Sequence, residues 1–168
     1  KEQLDIIDQQ GSCNALLGSI CDNASIKFNT KIPNPFCTDP LNFLLQTNLN
    51  KQCDFEKIFI KLANTILNND QRSYRQQILL TNGVQTAGNL FSLQNEGIKH
   101  VEFVIRSEIE KYKDQFSKSS EGIIKSWPDN FDLFGWLIRL KSGGELAPHI
   151  HDQGWLSGSV YIKVPSQL

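Results

Sequence analysis

The chain has 168 residues, 39% hydrophobic and 21% charged, which is enough apolar material for one packed domain with or without a helical prefix, and too much for a disordered segment. A formal net charge of -1 gives no electrostatic ground for nucleic acid or an anionic membrane as partner. No apolar run approaches the roughly 18 residues that cross a bilayer, and the mixed-charge start, KEQLDIIDQQ, lacks the apolar centre of a secretory signal.

Cys13, Cys21, Cys37 and Cys53 show no CxxC spacing. Free thiols in a reducing, cytoplasmic compartment are expected, and a Cys13–Cys21 pairing stays open. The absence of methionine and the start at Lys1 suggest an internal piece of a longer reading frame, or else removal of the initiator.

From residue 1 to about 30, apolar residues recur at three- and four-residue steps, as on one or two short helices, and Gly11 and Gly18 weaken a single long one. This prefix, 1–33, reads as separate from 34–168, because Pro33 and Pro35 disfavour helix and mark a boundary. Asp39-Pro40-Leu41 has the form of a capped helix start. A second amphipathic helix is predicted from about Asp54 through Ile58, Leu62, Ile66 and Leu67 to Asn68-Asn69-Asp70, both helices facing a core.

Arg72 to Phe91 reads as extended or loop structure, interrupted by Gly83 and Gly88. The clearest helix runs from Ile98 to Phe116, with Val101, Val104, Ile105, Ile109 and Tyr112 on one stripe. His100, at its start, has the ordinary role of a surface or capping histidine. Residues 117–130 carry loop signals, and a β-rich segment, 131–168, follows. Helices over 34–130 and strands after them make an α+β order.

The β-rich segment carries the chemistry. Trp136 to Leu140 and Ser159 to Val164 read as strands, with a turn at Ser142-Gly143-Gly144. Between them stand His149 and His151, behind Pro148. On a strand, side chains at i and i+2 share a face, so both imidazoles reach one metal ion. Asp152 is a carboxylate ligand, an orienter of a ligand, or a turn residue before Gly154. Arg139 and Tyr161 are a cation and a hydroxyl that suit an anion, or else a surface charge and an ordinary strand aromatic. A facial triad of two histidines and one carboxylate leaves positions on iron for a cosubstrate and dioxygen, and this segment supplies part of such a set.

FGWLIRLKSGGELA followed by PHIHDQGWLSGSVYIKVP resembles the first metal-binding strands of the Fe(II)- and 2-oxoglutarate-dependent oxygenases related to prolyl hydroxylases. NPFCTDPLNFLL and NGVQTAGNLF are similar, more loosely, to the helical half that precedes them, so that the resemblance covers roughly residues 34–165.

It implies a double-stranded β-helix, or jelly roll, buttressed by helices, with Fe(II) and 2-oxoglutarate as cofactors. It also implies His149 as the first iron ligand, Tyr161 as a cosubstrate contact, and Arg139 on a strand where another arises. His151 stands where the wider family has the aspartate of an HxD motif, which leaves His151, Asp152 or a histidine-only set open. The family's remaining histidine and its basic cosubstrate partner come from strands further on. Of the other residues here only His100 is a histidine, so the barrel and site are expected to be partial and this chain alone inactive. The alternatives are a cupin-like metal or small-molecule binding module without oxidative activity, and a non-enzymatic helical interaction piece. The hydroxylation substrate is not legible.

Overall fold

A computed structural model of the chain describes Ile6 and residues 13–69, 74–75 and 77–165. The predicted prefix over 1–12, Ile6 apart, and residues 70–73, 76 and 166–168 lie outside the described residues. The chain divides into two compact units: Lys1–Gln46, Glu110–Asn130 and Ile150–Gly158 form the first, and Thr47–Ile109, Phe131–His149 and Ser159–Leu168 the second.

In the first unit, helix α1 spans Ala15–Phe28. Asn14 caps it through a side-chain oxygen that accepts from the Leu17 N–H, and Asn29 ends it in the left-handed region at φ 47°, its N–H turned back to the Ile26 carbonyl. The Ser25 hydroxyl accepts from the Ile32 N–H at 3.0 Å, which starts the return of the two-proline stretch along the helix. Asn34 completes it. Its Oδ1 accepts from the Phe36 and Cys37 N–H groups at 3.0 and 3.1 Å, while Nδ2 donates to Asp22 at 3.0 Å and to the Gly18 carbonyl at 3.3 Å. Gly18, expected only to weaken a helix, leaves room for that amide: a Cβ there would stand 2.9 Å from Asn34 Oδ1.

Two apolar clusters form behind these bonds, Leu17 with Cys21 and Ile32, and Phe36 with Cys37 and Ile123. None of the four cysteines is in a disulfide, so the Cys13–Cys21 pairing left open is not made. Burial, and then the nearby Glu121 carboxylate, push the Cys37 thiol up from its ordinary value. Tyr112 is buried, donates to the Phe43 carbonyl at 2.9 Å, and is pushed up to about 12 by desolvation. The predicted helix at Asp39 is a single 3₁₀ turn, Pro40–Phe43, with no buried residue. Asp39 accepts from the Asn42 side chain rather than capping the backbone, so it supplies no N-cap bond.

In the second unit, Asp54 accepts from the Lys57 N–H and begins the predicted second helix. Its first part, Glu56–Lys61, is wound as a π-helix, and α2 continues it over Leu62–Leu67. Phe55, Phe59, Ala63 and Ile66 are its buried face. Helix α3, Glu96–Phe116, is started by the Asn95 side chain, which accepts from the Ile98 N–H, and its residues through Ile109 belong to this unit. A short helix of the first unit, α4, follows at Gly122–Lys125.

The sheet has three strands, β1 (Tyr74–Arg75), β2 (Leu80–Thr86) and β3 (Ile138–Leu146), antiparallel in the order β1-β2-β3. The chain is thus α+β, and among the described residues the sheet is open, without barrel closure. Two of its strands, β1 and β2, precede α3 and lie within Arg72 to Phe91, the stretch expected to be extended or loop structure. Ser142-Gly143-Gly144 does not end a strand. Leu80 and Thr81 pair with Leu146 and Glu145, whereas Gly83 pairs with Leu140, so Asn82 alone stands opposite 141–144. That bulge is held by two positive φ angles, 46° at Asn82 and 70° at Gly143.

Candidate metal-binding segment

Strand β3 delivers the chain to the first histidine. The last rung lies just beyond it, where the Ala147 N–H donates to the Leu79 carbonyl at 2.8 Å. Pro148 has no N–H to continue the ladder, and His149 follows in irregular backbone. The strand predicted through His149 and His151 is therefore absent, as is the one predicted over Ser159 to Val164. Strand structure requires a neighbour's backbone groups, and neither stretch has a ladder partner among the described residues.

His149 is exposed, with Nδ1 2.9 Å from the Ala147 carbonyl oxygen. A carbonyl only accepts, so Nδ1 carries the hydrogen and the lone pair of the neutral ring lies on Nε2. Metal-binding histidines are commonly held in this way, the second nitrogen donating to a carbonyl or carboxylate.

His151 opens a tight turn closed by the Gly154 N–H on the His151 carbonyl at 3.0 Å. Asp152 occupies the first central position of this turn and is exposed, as its turn reading expects. The His151 ring has Nδ1 2.9 Å from the Ser157 hydroxyl. Between them Trp155 fixes the segment to the first unit's core: its ring meets Phe36 edge-on at 5.0 Å and 81°, and its Nε1–H donates to the Ile123 carbonyl at 3.0 Å. Neither Trp155 nor Ser157 stands out in the sequence as a site residue. A tryptophan shortly after a histidine pair, with one polar atom to satisfy, was the available signal.

Arg139 lies on β3 opposite Val84, exposed, and takes part in neither ion pair found among the described residues, Lys99–Glu96 and Arg106–Glu102. Tyr161 is 79% exposed. An open cleft of about 370 Å³ on the β1–β2 hairpin is lined by Tyr74, Arg75, Ile78, Leu80, Gly83 and Val84, and by none of the predicted site residues.

Neutral imidazole suits iron, and the donor chemistry of His149, His151 and Asp152 fits a divalent transition metal. Among the described residues, however, no group of three or more His, Cys, Asp or Glu is gathered to hold a metal ion. Likewise no helix among them is long and apolar enough to cross a membrane.

Comparison with known proteins agrees with the segment rather than with the whole chain. Residues 135–168 match the model of a family described as Putative 2OG-Fe(II) oxygenase. No curated protein and no solved structure matches the chain.

Proposed function

We infer that this chain carries the metal-binding segment of an Fe(II)- and 2-oxoglutarate-dependent dioxygenase that hydroxylates its substrate. The observation that carries the reading is the family match over 135–168, because Arg139, His149, His151, Asp152 and Tyr161 all fall inside it. His149 and His151 would supply imidazole ligands and Asp152 a carboxylate, directly or through a bound water. Arg139 and Tyr161 would hold the distal carboxylate of 2-oxoglutarate, a cation and a hydroxyl being the partners such a group takes. The Nδ1–H of His149, turned onto the Ala147 carbonyl, supports the assignment by holding the ring in the manner common to metal-binding histidines. With Fe(II) and 2-oxoglutarate bound, a centre of this class places one atom of dioxygen in the substrate and the other in succinate, releasing carbon dioxide. The partners proposed are thus a small-molecule cosubstrate and a hydroxylation substrate, in a cytoplasmic setting.

The test is an anaerobic titration of the chain with Fe(II), with and without 2-oxoglutarate, followed by an assay for succinate in air. Fe(II) binding should strengthen with 2-oxoglutarate and weaken by more than about 100-fold in His149→Ala. Unchanged binding or turnover in that variant refutes the assignment. Fe(II) binding that 2-oxoglutarate does not affect, with no succinate, would favour the cupin-like module.

A further inference from the structure

We propose that Asn82 is a modification site: its side chain closes onto the Gly83 nitrogen and is converted to isoaspartate, a change that uncouples β2 from β3. The inference concerns the sheet and does not depend on the oxygenase reading. Asn82-Gly83 is the one Asn-Gly pair in the sequence, and glycine has no side chain to shield its nitrogen from the neighbouring amide. The Gly83 nitrogen attacks Asn82 Cγ and a C–N bond forms. The side-chain nitrogen leaves as ammonia, taking the proton that the Gly83 nitrogen gives up, and a succinimide ring remains. Water then opens the ring at either carbonyl, giving aspartate or isoaspartate. In isoaspartate the backbone runs through the side-chain methylene.

Both reacting groups are uncommitted. Asn14, Asn34, Asn48, Asn89 and Asn95 each hold their side-chain oxygen on a backbone N–H, whereas Asn82 is exposed and its side chain makes no hydrogen bond among the described residues. The Thr86 N–H donates across to the Leu137 carbonyl at 3.0 Å, and Gln85–Ile138, Val84–Arg139 and Gly83–Leu140 follow in unbroken register. Bonds alternate along an antiparallel ladder, so the Gly83 N–H is directed to the opposite edge of β2. On that edge the pairing with β1 stops at Arg75–Gln85 among the described residues. Gly83 also lines the open cleft of the β1–β2 hairpin, where water can reach the ring. Asn29 is the contrast within the same chain. It is exposed and left-handed too, with φ 47° against 46°, but the next N–H, of Thr30, is bound to the Ser25 carbonyl at 3.1 Å.

The consequence falls on the bulge. Asn82 alone carries β2 between the pairs Thr81–Glu145 and Gly83–Leu140, so an added methylene lengthens the strand where its register is set. The former main-chain carbonyl becomes a free carboxylate, in a space where a Cβ on Gly144 would stand 2.5 Å from the present oxygen. The pairs beyond it, down to the Ala147 N–H on the Leu79 carbonyl, hold the end of β3 from which His149 follows.

The experiment incubates the whole chain in mildly alkaline buffer beside a synthetic peptide of residues 79–86. Digestion and mass spectrometry read the conversion at each asparagine, and chromatographic retention separates isoaspartate from aspartate. Asn82 should convert within about 100-fold of the peptide rate, because a local opening suffices, whereas a reaction that waits for the whole domain to unfold is slower by about 1,000-fold or more. Isoaspartate should be the larger product, and Asn29 should stay intact. In the converted chain amide exchange at Thr81, Glu145 and Ala147 should rise by about 10-fold or more. Asn82→Gly keeps a positive φ without a side-chain amide, so on ageing it should show neither change. Conversion of Asn82 slower than the 100-fold limit overturns the proposal, as does equal conversion at Asn29. So does ladder exchange that is the same before and after conversion, or that quickens equally in aged Asn82→Gly.

Discussion

Truncating Trp155 tests the anchor of the His151 turn. Its indole makes two separable contacts, the edge-on packing against Phe36 at 5.0 Å and the Nε1–H bond to the Ile123 carbonyl at 3.0 Å. An aromatic pair of this geometry is worth about 0.5–1.5 kcal/mol beyond its buried area, and a neutral hydrogen bond a net of about 0.5–1.5 kcal/mol. A fully buried tryptophan costs about 3–5 kcal/mol on truncation to alanine, and Trp155 is only half-buried. Trp155→Ala is therefore expected to lose about 2–3 kcal/mol, and Trp155→Phe, which keeps a ring but no donor, about 1 kcal/mol. Urea unfolding followed by far-UV circular dichroism reads this as a midpoint lower by about 1 M for alanine, if the slope is about 2 kcal/mol/M and unchanged. A loss below about 0.5 kcal/mol in Trp155→Ala would refute the anchor, since it would make the residue indistinguishable from an ordinary surface position.

Tyr112 gives a pH dependence. Its folded value of about 12 lies above the ordinary value near 10, so the native state keeps the proton longer: the contribution is complete below about pH 10 and is lost as pH rises through 12, on the order of 2–3 kcal/mol. Tyr112→Phe should flatten that part of the stability profile, measured by urea titration at each pH, while giving up about 1 kcal/mol at pH 7 with the Phe43 bond. Gly144→Ala should cost about 1–3 kcal/mol, because its Cβ would meet the Asn82 and Lys141 carbonyl oxygens at 2.5 and 2.9 Å, both backbone, and amide exchange across β2–β3 should quicken. Gly143→Ala meets no atom and should cost only the about 1 kcal/mol of a left-handed residue, by the same urea assay. Asn29→Ala should likewise lose about 1 kcal/mol at the end of α1, with Asn29→Gly losing none.

Local periodicity was legible where a helix carries its own bonds. The stripe from Val101 to Tyr112 lies on α3, and the Asp54 to Leu67 pattern on the π and α segments, although nothing in the spacing distinguished five-residue from four-residue bonding. Strands were less legible, because pairing is decided by another part of the chain. Ser159 to Val164 has strand composition without a strand partner among the described residues, while Leu80–Thr86, with a glycine at its centre, lies in the middle of the sheet. Ser142-Gly143-Gly144 has the composition of a turn between strands, and only the register with Asn82 reveals a bulge inside one strand instead. At the site, the residue types and their spacing were visible in the sequence. What orients each ring was not, because Ala147 acts through its backbone oxygen and Ser157 six residues away through a hydroxyl.

Each unit is assembled from three separate stretches, and the chain changes unit at 46/47, 109/110, 130/131, 149/150 and 158/159. No single cut releases either one. Subcloning by the habit of trimming from one end would remove Ile150–Gly158, and with it the indole that closes over Phe36, long before it reached the bulk of the first unit. An expression fragment of that unit has to be spliced, with linkers joining Gln46 to Glu110 and Asn130 to Ile150, and its solubility would report whether nine residues from near the end of the sequence are needed to seal a core begun near its start.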